Sequence, residues 1–187
     1  MRHCESRFLR SGLLLVLALL LLARPAVAGR PHPAKLSLHD LHGKPVHLKD
    51  LRGKIVVLNF WATWCGPCNA EMPMLVAVSR QFSPADVVFV GASVDDRSSR
   101  GKVPAFLQKY HITYPVWLGA TAGDLHRLQM GDAVPATAFL DRKGVIVARI
   151  LGQMRPGELQ QRIDWMLHRT GSAPPPLVTH LDTPANQ

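Results

Sequence analysis

Residues 55–60 (IVVLNF) form an unbroken, largely β-branched apolar run, the pattern of a strand buried on both faces. From Asn69 the period changes. Met72, Leu75, Val76, Ser79 and Phe82 recur on one helical face, so a helix follows the strand closely. Pro73, which has no amide to donate to the carbonyl four residues back, predicts a kink, and Pro84 predicts an end near Phe82. Residues 87–94 (VVFVGASV) give a second apolar strand and residues 95–102 (DDRSSRGK) a polar loop, with Asp95 and Asp96 read as a solvated pair. Val103, Phe106, Leu107 and Tyr110 supply the buried face of a second helix. Residues 114–118 are expected to be extended, and Leu125 and Leu128 mark a short helix within 122–129. Residues 137–140 and 145–150 predict an antiparallel pair across the turn Asp141-Arg142-Lys143-Gly144. Pro156 suits the first position of a last helix, which buries Leu159, Ile163, Met166 and Leu167.

Ahead of the first long strand, residues 36–48 predict a short hairpin through Asp40, Gly43, Lys44 and Pro45, with Leu38, Val46 and Leu48 available to pack. The order is then hairpin, strand, helix, strand, helix, strand, strand, helix. It predicts an α/β domain with a central mixed β-sheet, helices on both faces and a short N-terminal β-hairpin extension. A four-stranded core in this order is the thioredoxin fold. No repeat and no second domain interrupt the pattern, so the domain is expected over residues 29–169. Residues 170–187, with Pro174-Pro175-Pro176 and few apolar positions, are expected to form a Pro-rich disordered tail.

The first residues belong to a different class. Arg2, Arg7 and Arg10 precede an apolar run over residues 13–23, and Ala26-Val27-Ala28 follows it. This is the layout of a signal peptide over residues 1–28, cleaved after Ala28. An N-terminal segment kept as an inner-membrane anchor is the alternative, although the run is shorter than the ~20 residues of an ordinary span. Cleavage leaves 187 less 28, or 159, residues, enough for one domain with a core. Net charge falls from +9 to +6 as four arginines and Glu5 leave. A moderately basic, exported chain points away from nucleic acid. Cys4 leaves with the segment, so Cys65 and Cys68 are the two cysteines of the mature chain.

An exported compartment permits a disulfide between them. As a staple it would close a very short loop and remove little chain entropy. At a strand-to-helix switch, a working redox couple is the better reading. Cys65 falls at the helix N-terminus, where free N–H groups and the helix dipole favour a thiolate. That makes it the expected nucleophile, with Cys68 one turn in as the resolving thiol. Gly66 and Pro67 start the helix without bulk, and Pro67 has no donor to offer the sulfur.

The stretch 61–73 (WATWCGPCNAEMP), with Asp50-Leu51-Arg52-Gly53-Lys54 before it and Val134-Pro135 and Asp141-Arg142-Lys143-Gly144 after it, resembles the TlpA/ResA-like branch of the thioredoxin superfamily. These are exported thiol–disulfide oxidoreductases, and the likeness covers residues 36–167. The resemblance implies a cis peptide before Pro135, facing the cysteines and presenting Val134 to a substrate chain. It places a glutamate at Glu71, a weak candidate for a catalytic role beside its plain reading as an early-helix surface acid. It places Asn59 where thioredoxins proper carry a buried aspartate, and Ala92 where part of the branch has a glutamate, so proton transfer from Cys68 is left to water or the partner. Trp61 is read as core and Trp64 as an exposed rim where partners dock.

The resemblance further implies a periplasmic protein-disulfide reductase whose only redox group is the dithiol itself. Its expected partners are exported proteins with disulfides or Cys-x-x-Cys motifs, and a membrane electron donor that re-reduces it. Cytochrome c maturation is the expected setting. The competing readings are a thiol reductase for copper-centre assembly and a Cu(I) metallochaperone using the two thiolates. Nine histidines are present, but His32, His39, His42 and His47 take no ligand spacing with the cysteines, and no metal site is expected.

Overall fold

The computed structural model describes residues 32–82, 85–168, 175 and 177–180. The segment expected to be a signal peptide, residues 1–28, lies outside the described residues, as does most of the expected tail. The first described elements are β1 (Ser37–Asp40) and β2 (Pro45–His47), an antiparallel hairpin with Leu38 opposite Val46. Asp40 shapes its turn, accepting at Oδ1 from the amides of His42 (2.8 Å) and Lys44 (2.9 Å).

β3 (Ile55–Trp61) is buried at all seven positions. Its alternation sends Ile55, Val57 and Trp61 into one core and Val56, Leu58 and Phe60 into another on the opposite face. Each such side chain contributes about 1.5–3 kcal/mol by leaving water, so the apolar run holds two layers at once. α1 (Gly66–Ser79) follows, then β4 (Val87–Ser93), which pairs in parallel with β3 and sets Asn59 opposite Gly91. α2 (Val103–Tyr110) leads to β5 (Val116–Leu118), parallel to β4. Both crossovers step across the sheet in the same direction, so right-handedness puts α1 and α2 on one face. α3 (Ala122–Arg127) begins at a capping box between Thr121 and Asp124 and packs Leu125 against Leu58 and Phe60 on the other face.

β6 (Ala136–Leu140) pairs antiparallel with β3 and with β7 (Ile146–Leu151). α4 (Glu158–Leu167) then returns to the α1 face, where Leu159, Ile163 and Met166 join Met72, Leu75 and Phe106. Last comes β8 (Val178–Thr179), parallel to β7. The strand order is β2-β1-β5-β4-β3-β6-β7-β8. This is the thioredoxin fold with its mixed sheet, helices on both faces and N-terminal hairpin.

Three local expectations differ. α1 ends at Ser79 rather than near Phe82, and the Ser79 hydroxyl donates back to the Val76 carbonyl at 2.8 Å in its last turn. Pro73 lies inside α1, which continues beyond it for six residues. Pro156 does not open α4. Pro156-Gly157 instead occupies the centre of a turn closed by the Glu158 amide on the Arg155 carbonyl (3.2 Å), with Gly157 at φ 86°. In the expected tail, Val178 and Thr179 form strand rather than disordered chain, because the outer edge of β7 offers them backbone partners.

Candidate functional site

The site begins at the C-terminal end of β3, where the chain turns into α1. Cys65 is the N-cap of α1, and its Sγ accepts the Cys68 amide at 3.2 Å. Cys65 and Cys68 are joined as a disulfide. Both lie in the α1-side core; Cys65 keeps 5% of its surface exposed and Cys68 none. A partner thiol therefore reaches Cys65 first. Gly66 and Pro67 are exposed at the helix tip. Val134 stands opposite, its carbonyl oxygen 3.6 Å from Cys65 Sγ, and the Val134–Pro135 bond is cis. Trp61 is fully buried and stacks on Phe106, with ring centroids 4.5 Å apart. Trp64 is 62% exposed and lines a groove of about 400 Å³ with Val94, Ala120, Leu125, Ala133 and Val134.

Glu71 departs most from its plain reading. It is not a surface acid at the start of α1 but is 2% exposed, on the same helical face as Cys68 three residues earlier. Asn59 Nδ2 donates to Glu71 Oε1 at 2.9 Å and also to the Thr137 hydroxyl at 2.9 Å. The Met154 amide donates to Glu71 Oε2 at 2.8 Å. Burial raises the Glu71 pKa from 4.5 to about 7, against the pull of the Met154 and Asn59 hydrogen bonds. Tyr114 lies nearby, and burial and then the Glu71 charge raise its pKa. Ala92, opposite Phe60 on β4, is buried and brings no carboxylate. An acid whose pKa burial raises to about 7 thus lies one helical turn beyond Cys68 on the same buried face.

The expectation of a solvated Asp95–Asp96 pair fails for one of its members. Asp96 is exposed and accepts from Ser98 and Ser99. Asp95 is 2% exposed; it accepts from the Thr63 amide (3.0 Å), the Thr63 hydroxyl (2.6 Å) and the Ser93 hydroxyl (2.9 Å). It ties the end of β4 to the segment two residues before Cys65. A second tie comes from α1 itself: Asn69 Nδ2 donates to the Cys65 carbonyl at 2.7 Å, while Tyr110 of α2 donates to Asn69 Oδ1 at 2.8 Å.

Thr63, Asn69, Tyr110, Thr137 and Met154 were given no part in the site from sequence, and Asp95 was read there as solvated. Glu71 could have been placed by spacing, because positions 68, 71, 72, 75 and 76 share one buried stripe. Among the described residues no group of three His, Cys, Asp or Glu side chains is gathered for a metal, and no helix is long and apolar enough to cross a membrane.

The chain that carries this site has relatives among known proteins. The Redoxin family model matches residues 27–163. The chain belongs to the Redoxin family. It is similar to the thiol-disulfide oxidoreductase ResA of Bacillus subtilis, 32% identical over 163 residues, 82% of this chain and 89% of that protein. A thiol:disulfide interchange protein of the thioredoxin family from Chlorobium tepidum superposes with a TM-score of 0.63 at 28% identity, covering 75% of this chain and 99% of that one. A secreted Mycobacterium tuberculosis disulfide oxidoreductase, described as homologous to E. coli DsbE, gives 0.58 at 29% identity, covering 69% and 94%. This Redoxin protein is therefore a ResA/TlpA-like thiol–disulfide oxidoreductase of the thioredoxin superfamily, and its redox group is the Cys65–Cys68 pair.

Proposed function

We propose that this oxidoreductase is exported and works in the reducing direction on disulfides of other exported proteins. The observation that carries the reading is the Cys65–Cys68 disulfide at the tip of α1 with Glu71 buried on the same helical face. In the reduced enzyme, the Cys65 thiolate attacks a substrate disulfide, forms a mixed disulfide and releases one substrate thiolate. Cys68 then gives up its proton and attacks Cys65 Sγ, which releases the second substrate thiolate and closes the enzyme disulfide. Glu71, titrating near 7, receives the Cys68 proton and returns it to solvent or product. Val134 offers its backbone to an extended substrate chain, and Trp64 supplies the apolar rim.

The direction follows from electrostatics. A buried acid one helical turn from Cys68 withholds stabilisation from a thiolate, and a couple with a less stabilised reduced form is the stronger reductant. Recharging in an oxidising compartment then requires a membrane electron donor. Cys-x-x-Cys-His segments of apocytochromes c, which must be kept as dithiols for haem attachment, fit as substrates. The test is catalysed reduction of a protein disulfide by the purified protein, alongside the Cys65–Cys68 potential. Cys65→Ser is expected to abolish turnover. An unchanged rate in that variant, or a potential as high as that of the periplasmic oxidant, overturns the reading.

A further inference from the structure

Residues 178–180 lie along the outer edge of β7. Val178 and Thr179 pair in parallel with Ile150 and Leu151, and the His180 amide donates to the Leu151 carbonyl at 2.7 Å. The His180 ring is largely buried, with Nε2 2.9 Å and 3.1 Å from the two carboxylate oxygens of Glu158. Gly152 lies under this contact. A Cβ there would come within 2.9 Å of the His180 backbone, so the close approach exists because residue 152 carries none.

The chain between β7 and α4 reaches into the exchange site twice. The Gly152 amide donates to the Pro135 carbonyl at 2.9 Å, and the Met154 amide donates to Glu71 at 2.8 Å. Its far end is held by the Arg155 amide on Glu158 Oε2 at 2.8 Å, the same carboxylate that binds His180. One imidazole therefore sits on both ends of a loop whose middle carries the hydrogen bond to the buried acid.

We propose that His180 is a positioning residue for the exchange site: by holding Glu158 and lying on Gly152, it fixes the 152–155 loop against Pro135 and Glu71. The proposal rests on Cys65–Cys68 as the exchange couple, which Cys65→Ser tests separately. The Met154 hydrogen bond favours the ionised form of Glu71, so loosening the loop raises the Glu71 titration midpoint. The groups around this contact are Glu158 facing His180, Arg162 acting on Glu158 from α4, and Tyr114 sensing Glu71.

The experiment is a carbon-13 NMR titration of the Glu71 carboxyl in the oxidised protein, free of substrate. It compares wild type, His180→Ala, a chain ending at residue 176, and His180→Gln. The Ala variant and the shortened chain are expected to raise the midpoint by about half a pH unit, a threefold change in proton affinity. His180→Gln, which still donates to Glu158, is expected to keep the wild-type midpoint. An unchanged midpoint in both the Ala variant and the shortened chain overturns the proposal, whatever happens to the melting temperature. A Gln variant shifted as far as the Ala variant also overturns it.

Discussion

Glu71 and Asn59 are joined by a 2.9 Å hydrogen bond between side chains each 2% exposed, one from α1 and one from β3. The bond fixes the acid's place against β3 but does not offset the loss of water, and burial raises the carboxyl pKa to about 7 from 4.5.

A pH dependence of stability follows. As pH rises from about 4.5 to about 7, Glu71 ionises in the unfolded chain while it stays protonated in the native one. The native state then binds more protons, so stability falls across that window and levels off above it. The contribution is on the order of 3 kcal/mol. Glu71→Gln carries no such proton. Urea unfolding of wild type and variant, disulfide intact, at pH about 4.5 and about 8 is expected to show a decline in wild type that exceeds the variant's. Equal declines in the two proteins would remove Glu71 as the source.

Asp95 gives a second prediction. Its carboxylate accepts three hydrogen bonds, two from Thr63 and one from Ser93. Asp95→Ala leaves those donors facing a buried gap and is expected to cost about 1–3 kcal/mol. It also releases the segment before Cys65, so the rate of disulfide exchange should fall with stability. A urea midpoint and an exchange rate both equal to wild type would mean that the clamp holds nothing.

The fold was legible in the chain because its strands are long apolar runs and its helices have clean buried faces. Residues 55–60 suit a strand buried on both faces, and the change of period from Asn69 suits a helix. The cysteines were legible for the same reason: their place at that switch gives them an electrostatic role that composition alone does not. The polar interior was harder. Asp95 and Asp96 are identical neighbours in sequence, and only the end of β4 decides that the first turns in to Thr63 and the second out to Ser98. Glu71 was masked by its position in the second turn of α1, where an acid on the outer face is ordinary; its partners Asn59, Thr137 and Met154 come from three distant parts of the chain. Val178 and Thr179 lack the run length that marks a strand, and they pair because the edge of β7 is open to them.

Gly91 faces Trp61 without a side chain between them. A Cβ there would lie 2.8 Å from Trp61 Nε1 and 3.4 Å from both Tyr114 and Val116. Trp61 is fully buried and stacked on Phe106, so it has nowhere to withdraw. Gly91→Ala is expected to destabilise the protein by about 1–3 kcal/mol through overpacking and to change the Trp61 fluorescence. A variant that melts like wild type with the same emission spectrum would show that the strand pair absorbs the methyl group.

Substitution of Trp64 is expected to separate docking from chemistry. It is next to Cys65 in the chain, 62% exposed, and lines the groove that runs to Val134. A large indole left in water contributes little to folding, so Trp64→Ala is expected to change stability by less than about 0.5 kcal/mol. An exposed aromatic side chain that a partner covers on docking is worth far more to that partner, so KM for a protein disulfide should rise about tenfold with kcat nearly unchanged. A small disulfide that reaches Cys65 without touching the groove should be reduced at the wild-type rate. If both substrates slow equally, Trp64 acts on the sulfur rather than on docking; if neither slows, substrates approach from another side.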